Sequence, residues 1–171
     1  MNQENKEEYV YLLVDFIFNQ HCEEQFKAFK KGFFKVVAED IIQLFKPEEL
    51  ELMVCGSKVL DFKELEVATE YVDGYTEDNV VIKWLWEIIH DEMDDSQKKQ
   101  FLQFTTGCDR APVNGLSNLP FYVGRHGPDT DRLPTAHTCF NHLLMPEYSS
   151  KDRLRTKLMT AIQNAEGFGM Y

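Results

Sequence analysis

The apolar positions of this chain fall mostly in helical repeats, broken by Gly, Pro and clusters of acids. Tyr9, Leu12, Leu13, Phe16 and Ile17 stand at i, i+3, i+4, i+7 and i+8, the stripe of an amphipathic helix that predicts core packing. Asn5-Lys6-Glu7-Glu8 ahead of it reads as a capping box, with Asn5 capping and Glu8 reaching back. A second helix is expected from about Cys22 to Phe34, with Phe26, Phe29 and Phe33 on one side and lysines on the other. Ile41, Ile42, Leu44 and Phe45 form a short apolar cluster. Lys46-Pro47-Glu48-Glu49 then opens a third helix, because Pro suits the first turn and the acids complement the helix dipole. That helix should stop at Cys55-Gly56, where Gly suits a left-handed cap. Gly56-Ser57-Lys58 is therefore the best break in the chain.

Beyond the break, Asp61-Phe62-Lys63-Glu64 is another capping box, starting a short helix to about Thr69. Residues 71–75 read as a turn. From Asp78 to about His90, Val81, Trp84, Leu85, Ile88 and Ile89 repeat at helical spacing, and the two Trp read as core. Asp94-Asp95-Ser96 introduces a helix to Thr106 that Gly107 closes, and residues 108–118 read as a loop. Phe121-Tyr122-Val123 suits a strand, and residues 126–129 a turn. Ser149 or Ser150 caps a last helix with Leu154, Leu158, Ile162 and Ala165 on one face, stopped by Gly167. Helices interspersed with a few strands predict the α+β class.

Composition narrows the possibilities. The chain has 171 residues, enough for one ordinary domain or two small units, and its 43% hydrophobic content supplies a core without disulfides. Cys22, Cys55, Cys108 and Cys139 show no C-x-x-C pair and no zinc spacing, which predicts free thiols in a reducing compartment, the cytoplasm or nucleus, and no metal or cofactor. A net charge of −11 argues against a nucleic-acid partner, since neutralising phosphates takes surplus Lys and Arg. The polar, charged start argues against a signal peptide, and no apolar run reaches the roughly 20 residues of a membrane span.

The candidate chemistry lies in Leu133-Pro134-Thr135-Ala136-His137-Thr138-Cys139-Phe140-Asn141. After Pro134 the β-branched threonines favour an extended backbone. In a strand His137, Cys139 and Asn141 would share one face, with His137 roughly 7 Å from Cys139, and Thr138 and Phe140 would share the other. Spacing alone favours an inert Cys beside a surface His. The other thiols have weaker claims: Asp109 beside Cys108 disfavours a thiolate, and Cys22 and Cys55 lie on helical stretches. Asp94-Asp95 and Glu48-Glu49 are not catalytic pairs, because adjacent residues on a helix do not face each other.

Arg132 to Asn141, read as RLPTAHTCFN, resembles the active-site segment of the HECT family of ubiquitin ligases. The likeness continues in Pro146-Glu147-Tyr148-Ser149-Ser150 and Ala165-Glu166-Gly167-Phe168-Gly169. Upstream it includes Phe101-Leu102-Gln103-Phe104-Thr105-Thr106-Gly107, Asp109-Arg110-Ala111-Pro112, Phe26-Lys27-Ala28-Phe29 and Pro47-Glu48-Glu49-Leu50-Glu51-Leu52. Gly127-Pro128-Asp129-Thr130 runs almost directly into Leu133, which is similar to the branch of the papillomavirus-oncoprotein-associated ligase.

The resemblance implies a helical end of the family's N-lobe over residues 1–55, a hinge at Gly56, Ser57 and Lys58, and a small mixed helix and strand catalytic lobe over 59–171. It implies ubiquitin, a ubiquitin-conjugating enzyme and a protein substrate as partners, with Cys139 carrying ubiquitin as a thioester. Tyr9 and Leu13 match positions that help dock the conjugating enzyme, and Phe168 matches a tail residue needed for transfer to lysine. Thr138, Phe140 and Asn141 are candidates for shaping the groove for ubiquitin's tail. His137 either favours the thiolate, steers the incoming lysine, or is structural. A complete domain of the family has a larger N-lobe, so the chain is expected to begin inside it and to have low activity alone. Two alternatives stay open: a non-catalytic fragment that binds ubiquitin or conjugating enzyme, and a cysteine hydrolase pairing Cys139 with a distant His90 or His126.

Overall fold

A computed structural model describes residues 3–165; the Gly167 stop and Phe168 lie outside them. The chain divides into two compact units, Met1–Leu50 and Glu51–Tyr171.

The first unit is helical. It comprises α1 (Lys6–Asp15), continued by a π-helical turn at Phe16–Gln20, then α2 (Glu23–Phe33), α3 (Glu39–Ile42) and the start of α4 (Pro47–Cys55). α4 opens as expected with Pro47, Glu48 and Glu49 in its first turn, and Lys46 N–H donates to Glu49 Oε2 at 2.7 Å. At α1 the expected cap does not form, since Asn5 holds the N-cap position without a side-chain cap hydrogen bond. Nor does the apolar stripe become core. No residue of α1 to α4 is buried, and Tyr9 and Leu13 are 49% and 40% exposed. The α2 phenylalanines instead stack along the helix, Phe26 on Phe29 at 6.4 Å and Phe29 on Phe33 at 5.6 Å. Helical spacing sets which side of a helix is apolar, but a core needs an opposing layer as well.

The second unit has that layer. After α5 (Phe62–Ala68) come β1 (Thr69–Val72), α6 (Val80–Glu87) with a π-helical turn at Ile88–Glu92, and α7 (Asp95–Thr106). Then follow β2 (Phe121–Arg125), β3 (Thr135–His137), β4 (His142–Met145) and α8 (Lys151–Gln163). The sheet order is β1-β2-β4-β3; β1 and β4 run parallel to β2, and β3 is antiparallel to β4. Phe121, Val123, Leu143 and Met145 point from one sheet face into a core with Leu65, Ile82, Leu85, Phe101, Leu102, Leu154 and Leu158, all buried. This is the expected α+β class.

Local signals set most helix ends here. Asp61 caps α5 through the Lys63 and Glu64 amides, and Asp94 with Gln97 forms a full capping box on α7. Gly107 closes α7 in the left-handed region, and Ser150 caps α8. Three expectations are corrected. Residues 69–72, read as a helix end and turn, are strand β1, too short to show alternation and paired with a strand about fifty positions on. The extended segment after Pro134 is a strand only to His137. The last helix ends at Gln163, so Ala161, not Ala165, completes its buried face.

Two tyrosines tie the segments flanking β3 and β4. Tyr75 OH donates to Pro146 O at 2.9 Å, and Tyr148 OH donates to Arg132 O at 2.7 Å. Burial pushes both phenols above their ordinary value of 10.0. A folded-state value above the unfolded one stabilises fully below the unfolded value and is lost as pH rises past it. Thermal melts should therefore show the melting temperature falling above about pH 10. Tyr148→Phe should flatten that fall, while costing about 1 kcal/mol at neutral pH for the lost hydrogen bond.

The break at Gly56-Ser57-Lys58 is fastened within this unit. Ser57 N–H donates to Ala111 O at 2.8 Å and Ala111 N–H returns to Ser57 O at 3.0 Å. Lys58 Nζ and Arg110 Nη1 meet on Glu51 Oε1 at 2.9 and 3.0 Å, and these cations hold the Glu51 carboxyl below the usual carboxylate range, Lys58 the more strongly.

Candidate active site

The β3–β4 hairpin is short because Leu144, Leu143 and His142 oppose only Thr135, Ala136 and His137. Between the strands, Thr138–Phe140 form a 3₁₀ turn that ends at Asn141. Asn141 takes the left-handed conformation (φ 49°), which Asn tolerates better than most residues. It is fixed there by its side chain, whose Nδ2 donates to Pro120 O at 3.0 Å, and by its carbonyl, which accepts from Tyr122 N–H at 3.0 Å. Helix α7 packs against β3 and the turn.

Cys139 therefore sits at the tip of a braced hairpin and is exposed. The face-sharing expected of His137, Cys139 and Asn141 is overturned, because a 3₁₀ turn does not alternate its side chains as a strand does. Phe140 beside the thiol is 72% exposed, Thr138 is half-buried, and Leu133 is 40% exposed. His137, at the entrance to the turn, is exposed with its ring 6.3 Å from that of His142. On the sheet's open side β3 is the outer strand, so one of its backbone edges has no strand partner among the described residues.

The remaining candidates lie on other elements. Tyr9 and Leu13 lie exposed on α1. Gly56, Ser57 and Lys58 lie in the fastened break. His90 donates or accepts at Nε2 with Glu66 Oε2 (2.7 Å) and stacks on Trp86, so its ring is committed. Cys22, Cys55 and Cys108 are free thiols, and Cys22 Sγ contacts Phe18 O at 3.1 Å. Three residues around the hairpin, His142, Gly124 and Asp73, were not singled out from the sequence. Two lie on strands whose pairing, β2 beside β4, is invisible to local pattern.

The second unit thus raises an exposed thiol on a braced hairpin, next to a strand edge that no other described strand pairs. The chain belongs to the HECT-domain (ubiquitin-transferase) family, whose model matches residues 1–171. It is 44% identical over 170 residues to the probable E3 ubiquitin-protein ligase HECTD2 of Homo sapiens, covering 99% of this chain and 22% of that protein. It is 43% identical over 170 residues to the probable E3 ubiquitin-protein ligase HERC4 of Homo sapiens, covering 99% and 16%. To the E3 ubiquitin-protein ligase NEDD4 of Mus musculus it is 39% identical over 177 residues, covering 98% and 20%. The chain thus spans about a fifth of the length of the curated relatives it matches.

Proposed function

We propose that the chain is the catalytic end of a ubiquitin-protein ligase. Cys139 accepts ubiquitin from a conjugating enzyme as a thioester and passes it to a lysine of a protein substrate. The observation that carries this reading is the exposed thiol at the hairpin tip, within RLPTAHTCFN, in a chain the ubiquitin-transferase family model matches from end to end. The Cys139 thiolate attacks the donor's thioester carbonyl, a new C–S bond forms, and the conjugating enzyme's thiolate leaves. One thioester replaces another, so the exchange runs at nearly constant energy and positioning does most of the work. A lysine amine then attacks the same carbonyl, Cys139 leaves as thiolate, and the amine's proton passes to a base, for which His137, two residues before Cys139, is the candidate.

The open edge of β3 suits recognition of ubiquitin's extended tail by strand addition, with Phe140 supplying apolar area beside the thiol. Thr138 lines the same groove, and Asn141, whose amide is committed to Pro120, shapes it by holding the turn. Tyr9 and Leu13 serve as a docking edge for the conjugating enzyme, their exposure on α1 supporting this. Gly56-Ser57-Lys58 serve as the hinge, and Phe168 orients the thioester toward lysine, both by resemblance to the family. The uninterrupted run from Gly127 to Leu133 favours the papillomavirus-oncoprotein-associated branch. Four free thiols suit the cytoplasm or nucleus. Neither nucleic acid nor membrane has a role in this reading.

The hydrolase reading is less favoured because His90 is engaged by Glu66 and Trp86. Mixing the chain with ubiquitin-charged conjugating enzyme separates the classes. A reductant-sensitive ubiquitin adduct on the chain is expected; free ubiquitin without an adduct indicates a hydrolase, and no covalent species a binding fragment.

A further inference from the structure

One register row crosses all four strands of the sheet. Glu70 on β1 pairs with Tyr122 on β2, Tyr122 with His142 on β4, and His142 with His137 on β3. Strand alternation puts this row on the face opposite the core residues Phe121, Val123, Leu143 and Met145. The row ends two residues before Cys139. His142 is its middle member, its ring 6.3 Å from Tyr122 at 71° and 6.3 Å from His137 at 54°.

The seat beneath His142 is unusual. A Cβ on Gly124 would fall 2.6 Å from His142 Nε2, 2.9 Å from Asp73 Oδ2 and 3.0 Å from Leu144 Cδ2. Gly124 is absent from the positive-φ glycines, so its backbone does not demand glycine. Its lack of a side chain makes room for the imidazole. Asp73 reaches the same place from a left-handed position, φ 56°, that non-glycine residues seldom take. Among the described residues two buried side-chain polar atoms have no hydrogen bond, His142 Nε2 and Arg153 Nε. Arg153 Nε lies 3.1 Å from Asp129 Oδ1 and is offset by that charge, whereas His142 Nε2 shares its seat with the Asp73 carboxylate without a hydrogen bond to it. Burying an unpaired ring nitrogen costs free energy that an aliphatic side chain of similar bulk would not, and such unpaired groups gather where geometry matters more than stability.

We propose that His142 is a positioning residue for Cys139: wedged over Gly124, it fixes the orientation of the His137 ring at the entrance to the turn that carries the thiol. The proposal rests on the reading of Cys139 as nucleophile. His142 acts through His137 alone and touches no reacting atom. Aliphatic replacement therefore loosens His137 without harming the core, while adding a Cβ at Gly124 displaces the wedge from below.

The test is a double-mutant cycle read in two ways. Thioester formation is timed with ubiquitin-charged conjugating enzyme, and the pH profile of Cys139 alkylation by iodoacetamide is followed by site-resolved mass spectrometry. His142→Val should slow thioester formation about tenfold and move the alkylation profile in the same direction as His137→Ala. It should add nothing in a His137→Ala background and leave the melting temperature unchanged or higher. Gly124→Ala should reproduce the loss, and Gly124→Ala with His142→Val should be no worse than His142→Val alone. Wild-type rates and profile in His142→Val, or losses that add to those of His137→Ala, overturn the proposal. A reductant-sensitive adduct that persists in Cys139→Ala overturns the underlying reading instead, while the alkylation profiles still judge the wedge directly.

Discussion

Cys139→Ala should abolish the ubiquitin adduct, and Cys139→Ser should replace it with one that survives reductant but not alkali. Serine keeps the position and offers an oxygen nucleophile, far weaker at neutral pH because its hydroxyl is scarcely ionised, so the oxyester should form slowly and stall before lysine. Transfer to substrate should fall at least a thousandfold, about 4 kcal/mol of barrier. Ser variants at Cys22, Cys55 and Cys108 should charge like the parent. Cys55 and Cys108 are exposed as well, so exposure is not the distinguishing property. What sets Cys139 apart is the braced turn it occupies, next to a β3 edge that no other described strand pairs. Loss of the adduct in Cys108→Ser with its retention in Cys139→Ala would overturn the assignment. Gel shifts with and without reductant read every arm.

Gly56→Ala should strongly destabilise the second unit. Gly56 holds φ +83°, a region that costs an L-residue about 1–2 kcal/mol. The new Cβ would also fall 2.3 Å from Ala111 O, and that carbonyl is the acceptor for Ser57 N–H. Relief requires opening the reciprocal Ser57–Ala111 pair, at about 1 kcal/mol per hydrogen bond. The sum, about 2–4 kcal/mol, corresponds to a fall in melting temperature of roughly 5–15 °C for a chain of this size. Gly32→Ala is the control: it lies inside α2 with nothing within 4 Å of the added Cβ, so it should stabilise by about 0.5–1 kcal/mol. Equal melting temperatures for the two variants would show that the Gly56 seat is compliant. Because the fastening lies wholly in residues 51–111, any hinge motion at Gly56-Ser57-Lys58 has to release the Ser57–Ala111 pair or turn about a point before Glu51. A proline at Ser57 would remove a donor that is in use, so it reads the fastening rather than hinge stiffness.

Much of this molecule was written locally. Asp61, Asp94 and Ser150 at helix starts, Pro47 in a first turn, and Gly56 and Gly107 at helix ends each act through their own backbone or that of residues within one turn. Such signals can be read from spacing, as could the buried repeat of Val81, Leu85, Ile88 and Ile89. The candidate motif is equally local, being ten consecutive residues around one Cys. Asn5 shows the limit of such reading, since the right residue at the right spacing makes no side-chain cap bond.

The sequence by itself determined most helices of both units, the caps of α5, α7 and α8, the α+β class and the residue on which the chemistry is proposed to turn. Tertiary structure decided what the apolar faces meet. The stripe of α1 has the same spacing as a core helix, yet Tyr9 and Leu13 stay exposed because periodicity carries no information about an opposing surface. Strand β1 escaped notice because four residues hold too little alternation, and its partner Phe121–Gly124 is fixed only when the sheet assembles. The same assembly turned Thr138–Phe140 out of the strand, since Pro120 and Tyr122 hold Asn141 in a left-handed turn. It also brought His142 over Gly124 and beside His137, joining strands β2, β4 and β3 in one row. Contacts of that kind depend on register between distant segments, which the pattern of a single strand does not contain.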